Sequence, residues 1–160
     1  MKKILVIHNK YKNRGGEDIA VENELLMLNK EYKIETLVFD NNDKIYFYIF
    51  LNFVLNKNLK SMALLESKIK TFKPDIAYVH NTWFIGSSGI FEILEKNNIK
   101  TLVKLHNFRY FCTKSFFVKS HLGNSDFCMA CGLKRKKFQI FNKYFDNSYI
   151  KSFFVCRYGR

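Results

Sequence analysis

The chain has 160 residues, 48% of them hydrophobic, with one proline and seven glycines. That excludes a disordered or fibrous polypeptide and leaves room for one domain with a real core, not for two full-sized ones. Lysine and arginine number 27 against 14 acids, a formal charge of +13 that favours anionic partners such as nucleic acid, phosphorylated ligands or an anionic membrane surface.

The first apolar stretch, Ile4-Leu5-Val6-Ile7, is too short for the core of a secretory signal and reads as a strand buried on both faces of a parallel sheet. The stretch HNKYKNRGGED follows. From Glu17 the pattern turns helical, with Val21, Leu25 and Leu28 on one stripe and Glu17 and Asp18 in the first turn. There the helix dipole favours negative charge by about 0.3–1 kcal/mol each. Ile34 to Phe39 reads as a second strand, closed by the turn residues Asn41-Asn42-Asp43. The aromatic run 45–55 reads as helical, and its eleven residues fall short of the roughly 20 needed to span a bilayer. Met62, Leu65, Ile69 and Phe72 predict a helix over 59–73, which Pro74 stops. Asp75 to His80 is the third predicted strand. Gly86-Ser87-Ser88-Gly89 is a loop with a helix cap, Ile90, Ile93 and Leu94 line the next helix, and Thr101 to Leu105 is the fourth strand. Strands alternating with helices predict an α/β fold with a mostly parallel sheet, which binds ligands at the carboxyl ends of its strands.

Three of those ends carry the same dipeptide: His8-Asn9, His80-Asn81 and His106-Asn107. Imidazoles that titrate near neutrality, next to carboxamides that both donate and accept, suit hydroxyl-rich or phosphorylated ligands. One such histidine is as readily a structural residue; three at matching positions argue for a site. Arg109 adds a possible fork for an anion. The Arg14-Gly15-Gly16 loop before a helix start is a natural anion site, because glycine permits positive φ and close backbone approach and Arg14 can bind phosphate bidentately. Glu17 and Asp18 would repel a phosphate unless they turn away, and they can instead accept from ligand hydroxyls. A plain glycine turn with dipole-stabilising acids explains the same residues. RGGED matches neither GxGxxG nor the P-loop, which weakens dinucleotide and P-loop NTPase readings.

All four cysteines lie in the last third, at Cys112, Cys128, Cys131 and Cys156. The CxxC-Gly of Cys128 to Gly132 has the form of a zinc knuckle that the other two can complete, with His121 as a substitute ligand; free thiols or a redox pair fit the same residues. The run 45–55 and Phe116, Phe117, Phe138, Phe141, Tyr144 and Phe145 read first as core or domain-contact residues. With Lys134-Arg135-Lys136-Lys137 they also fit a membrane-facing surface.

The ordered strings HNKYKNRGGED, KPDIAYVHNTW, LHNFRYFC and CMACG resemble the N-terminal, acceptor-side domain of glycosyltransferase family 4, the group 1 enzymes of GT-B fold. The resemblance covers most of the chain. It implies one Rossmann-like domain over 1–160 with helices on both faces of its sheet and a cysteine-containing excursion over 112–156. Across a cleft it implies a second Rossmann-like half that holds a nucleotide sugar. It implies that Arg14, Gly15 and Gly16, with Glu17 and Asp18 beside them, approach the donor diphosphate or the acceptor, and that His106 lies near the transferred sugar. The remaining strand-end residues, His8, Asn9, His80, Asn81, Asn107 and Arg109, would surround the acceptor.

The paired-carboxylate motif of the donor half does not occur in these residues, so the expectation is a chain without complete activity alone. A separate donor-binding polypeptide or the status of a fragment would account for it. The implied setting is the cytoplasm, at the inner face of a membrane where polysaccharide or lipid-linked acceptors are built. The rivals are a basic, zinc-containing α/β module that binds nucleic acid, and a non-catalytic subunit. No recognised nucleic-acid motif supports the first.

Overall fold

The computed structural model describes residues 1–10, 14–40, 57–82, 85–106 and 148–149. The chain divides into two compact units, Met1–His106 and Asn107–Arg160. Asn107, Arg109, the four cysteines, His121, the basic run 134–137, the 45–55 segment and the aromatics from Phe116 to Phe145 lie outside the described residues.

The first unit is an α/β layer structure. Strands β1 (Lys3–Lys10), β2 (Lys33–Asp40), β3 (Ile76–Val79) and β4 (Lys100–Val103) form one sheet in the order β2-β1-β3-β4. Every neighbouring pair is parallel. Helices α1 (Gly16–Leu28), α2 (Leu59–Phe72) and α3 (Gly89–Lys96) occupy the connections. The chain moves from β1 outward to β2, then returns past β1 to β3 and on to β4. The order therefore reverses between β1 and β3, and a parallel sheet opens a crevice at such a reversal, outside the carboxyl ends of the strands.

Alternation along β1 divides the core in two. Leu5 and Ile7 face Leu37, Phe39, Ala77 and Val79 together with Leu65, Ile69 and Phe72 of α2 and Ile90, Ile93 and Leu94 of α3. Ile4 and Val6 face the other way, onto Val21 and Leu25 of α1. Helices thus cover both faces, and β1 is apolar from Ile4 to Ile7 because each of these four residues meets one layer or the other. β4 differs: all four of its residues are exposed, as its place at the sheet edge permits.

Helix ends follow local chemistry. The Asn58 carboxamide accepts from the Lys60 and Ser61 N–H groups and caps α2. Lys73, left-handed at φ 53°, ends it before Pro74. At the start of α3 the expected cap takes another form, since Ser88 is helical in backbone and makes no side-chain capping bond. The loop before it is anchored by its neighbours: Ser87 (φ 58°) accepts on Oγ from Asn58 N–H at 3.0 Å, and Ser61 Oγ donates to the Ile85 carbonyl at 2.7 Å. These bonds hold a non-glycine residue in a conformation that costs about 1–3 kcal/mol.

Gly86 lies in this loop with no room for a side chain, a Cβ there meeting the Thr82 Cα at 2.9 Å and its carbonyl oxygen at 3.1 Å. Backbone cannot swing aside as a side chain can. Gly86→Ala is expected to lower the unfolding free energy by about 1–3 kcal/mol, and Leu65→Ala, which empties a fully buried position, by about 2–5 kcal/mol. At Gly89 a new Cβ meets only the flexible Met62 thioether, so Gly89→Ala should cost less than Gly86→Ala. Urea denaturation of the three variants checks this order.

Candidate functional site

Parallel registration brings the histidines together. Ile7 pairs with Val79 and Val79 with Val103, so the residues that follow, His8, His80 and Lys104, stand level across β1, β3 and the end of β4. The ladder runs one step beyond the strand ends, His80 N–H donating to the Ile7 carbonyl at 2.9 Å and Lys104 N–H to that of Val79 at 2.8 Å. His8 and His80 meet edge to face with ring centroids 6.2 Å apart, and His106, two residues beyond Lys104, stacks on His80 at 5.2 Å. The His80 Nδ1 and His106 Nε2 atoms are 2.9 Å apart. His8 and His80 are buried; His106 is half-buried.

Helix α1 supplies a carboxylate beneath each of the two buried imidazoles. Asp18 Oδ1 lies 2.9 Å from His8 Nε2, while its other oxygen accepts from Gly15 N–H at 2.8 Å and so closes the helix start. Glu24, one and a half turns along, has Oε2 3.7 Å from His80 Nε2. That oxygen also accepts from the Tyr78 hydroxyl at 2.7 Å, and Oε1 pairs with the Lys104 ammonium. An ionised carboxylate only accepts, so His8 carries its proton on Nε2. Buried His8 Nδ1 and His80 Nε2 have no hydrogen-bond partner among the described residues.

The asparagines do different work. Asn9 faces the other side of the sheet, where its Oδ1 accepts from Gly86 N–H at 3.2 Å and ties the end of β1 to the β3–α3 loop. Asn81 Nδ2 reaches the Asn9 carbonyl at 3.3 Å and Glu17 Oε2 at 3.2 Å. Both are buried, so the carboxamides brace the strand ends beside the imidazoles.

The environment separates acids from bases. Burial raises the Asp18 carboxyl, but bonds from the Gly15 N–H and His8 outweigh it and hold the group below its ordinary value. Glu24 goes the same way, burial being outweighed by bonds from Lys104 and Tyr78. Burial, then the Glu24 carboxylate, raises the Tyr78 phenol. Burial pulls His80 down from 6.5 to about 4 against the opposing field of Glu24, and burial lowers His106 against Glu17. At neutral pH the cluster is therefore two neutral imidazoles, His80 and His106, over ionised acids. Such rings exchange hydrogen bonds with hydroxyl groups and can take up a proton.

The glycine loop departs from the expectation. Gly15 is extended at φ −125° and ψ −177°, and neither Gly15 nor Gly16 is left-handed. A Cβ at either would meet no described atom within 4 Å. Among the described residues neither backbone strain nor crowding requires glycine here. Arg14 is exposed and paired with Glu22, an exposed contact that a stronger anion can displace. Asp18 is turned inward to His8, and Glu17 accepts from the Asn81 carboxamide.

The structure thus gathers His8, Asn9, Gly15, Glu17, Asp18, His80, Asn81 and His106, and leaves Arg14 at the margin. Glu24, Tyr78 and Lys104 belong to the same network and were missed by motif reasoning. Their signal was positional: Glu24 shares the inner stripe of α1 with Val21 and Leu25, and Tyr78 and Lys104 each stand two residues before a site histidine. Among the described residues no group of three or more His, Cys, Asp or Glu side chains can hold a metal ion, and no helix is long and apolar enough to cross a membrane. Compared with protein-family models, curated proteins and solved structures, the chain matches none.

Folding favours the neutral form of His80, so its contribution to stability is present above pH 6.5 and is lost as pH falls toward 4. Asp18 and Glu24 act with the same sign at lower pH, contributing above their unfolded values of 3.8 and 4.5 and losing that contribution on further acidification. Unfolding free energy should fall between pH 7 and 4 by up to about 3 kcal/mol on account of His80. His80→Gln should flatten that slope in urea titrations at stepped pH.

Proposed function

We propose that this chain is the acceptor-binding half of a glycosyltransferase of the family 4 type, with GT-B architecture. It would work with a donor-binding half to move a sugar from a nucleotide sugar to a polysaccharide or glycolipid acceptor. The observation that carries the reading is the gathering of His8, His80 and His106 at the carboxyl ends of adjacent parallel strands, beside the reversal of strand order. That is where an α/β sheet binds its ligand, and neutral imidazoles are matched to hydroxyl groups. Two further features support it. No described atom lies within 4 Å of a Cβ built at Gly15 or Gly16, and a helix start of that kind suits an anion such as a diphosphate. Beyond His106 lie eleven of the basic residues and two of the acids, a balance suited to an acceptor on an anionic membrane at the cytoplasmic side. His106 is the residue assigned to the transferred sugar, and His80, Asn81, Asn107 and Arg109 to the acceptor.

The test is a binding titration of the full chain with a polyprenyl-phosphate-linked monosaccharide in micelles, UDP-glucose, and an RNA and a DNA oligonucleotide, at two salt concentrations. The lipid-linked sugar should bind and shift the His106 ring resonances. Gly15→Val, which costs about 1 kcal/mol of stability at a helix start, should weaken that binding about tenfold by filling the open space. With UDP-glucose and the lipid-linked sugar together the chain alone should give no turnover, and robust transfer would show that no second half is needed. Steeply salt-dependent binding of the oligonucleotides with no saccharide binding would sink the reading in favour of a nucleic-acid module.

A further inference from the structure

Three groups, from α1, from β1 and from beyond the end of β4, converge on one buried imidazole. His80 from the end of β3 has its Nε2 3.7 Å from Glu24 Oε2 on α1 and its Nδ1 2.9 Å from His106 Nε2 beyond β4. Glu24 is itself held on both oxygens, by the Tyr78 hydroxyl at 2.7 Å and by the Lys104 ammonium. His8 stands edge-on at 6.2 Å.

This geometry decides which way the hydrogen bond between the two rings runs. A neutral imidazole has one N–H and one bare nitrogen. If His80 donated from Nδ1 to His106, its bare Nε2 would turn a lone pair toward a carboxylate oxygen 3.7 Å away, two electron-rich atoms facing each other in a buried site. With the proton on Nε2 the same distance becomes attractive, and Nδ1 must accept.

We infer that Glu24 is a positioning residue: acting through His80, it sets His106 in the tautomer whose Nε2–H donates inward to His80 Nδ1, leaving His106 Nδ1 as the acceptor for a ligand hydroxyl. Burial keeps both rings neutral at pH 7, so the choice of tautomer is a real one. Tyr78 and Lys104 hold Glu24 ionised, and the carboxylate keeps its pull. The hydroxyl at the end of the chain of bonds belongs to the sugar only if the glycosyltransferase reading holds; the tautomer does not depend on it.

The experiment is long-range nitrogen–proton correlation NMR on the full 15N-labelled chain at pH 7.5 without ligand, with His106 assigned by loss of its signals in His106→Gln. In the unsubstituted protein His106 should be protonated at Nε2 and bare at Nδ1. Glu24→Gln keeps the shape and removes the charge, and should reduce the ratio of the two tautomers by about tenfold or more, the equivalent of one pK unit. Glu24→Asp, which keeps the charge, should retain most of the bias.

Protonation of His106 at Nδ1 in the unsubstituted chain overturns the inference, whether or not any variant folds. An unchanged tautomer ratio in folded Glu24→Gln overturns it as well. Should the tautomer be as stated while the polyprenyl-phosphate-linked sugar does not bind, the positioning role stands and the glycosyltransferase reading falls.

Discussion

The buried bond between His8 and Asp18 joins the carboxyl end of the central strand to the first turn of the helix that follows it. Neither partner can turn to water, so loss of either would leave a polar group stranded at a cost of about 1–3 kcal/mol or more. The constraint reaches further than its own two residues. With Asp18 also closing the helix start on Gly15, the direction in which α1 leaves the loop is set, and with it the placing of Val21 and Leu25 over β1 and of Glu24 under His80. One helix thus supplies both the apolar cover for its face of the sheet and the carboxylates beneath the site.

On the opposite face the carboxamides do comparable work by neutral hydrogen bonds. Asn9 holds the Gly86 amide, and Asn58 and Ser61 hold the loop from below, so the connection from β3 to α3 is braced from two directions. That bracing keeps Ser87 in its left-handed conformation and explains why Gly86 tolerates no side chain. At Gly15 and Gly16, by contrast, a side chain would meet no described atom within 4 Å.

Charge is arranged by depth. The ionised acids sit beneath the imidazoles, two of them buried or half-buried against α1's inner face, while the exposed Arg14 is paired at the rim. A carboxylate facing an incoming phosphate would oppose it by about 1 kcal/mol even through water at 4 Å. Directed inward, Asp18 and Glu24 instead stand against the His8 and His80 rings.

The sequence alone determined the order of the described elements and the sheet type. A continuous apolar run at 4–7 and helical periods at 17–28 and 59–72 are local signals, and local sterics and solvation read them directly. The repetition of His-Asn at strand ends also located the edge of the sheet where the three imidazoles meet, since in a parallel sheet all carboxyl ends share one side. What sequence could not supply was which carboxylate meets which ring. Glu24 and His80 are 56 positions apart, and their meeting depends on the tilt of α1 across β1 and β3, a matter of packing between layers. Nor could it tell that Gly15 and Gly16 are neither left-handed nor crowded, because whether a glycine serves backbone strain, close packing or open space is decided by neighbours brought in from elsewhere in the chain.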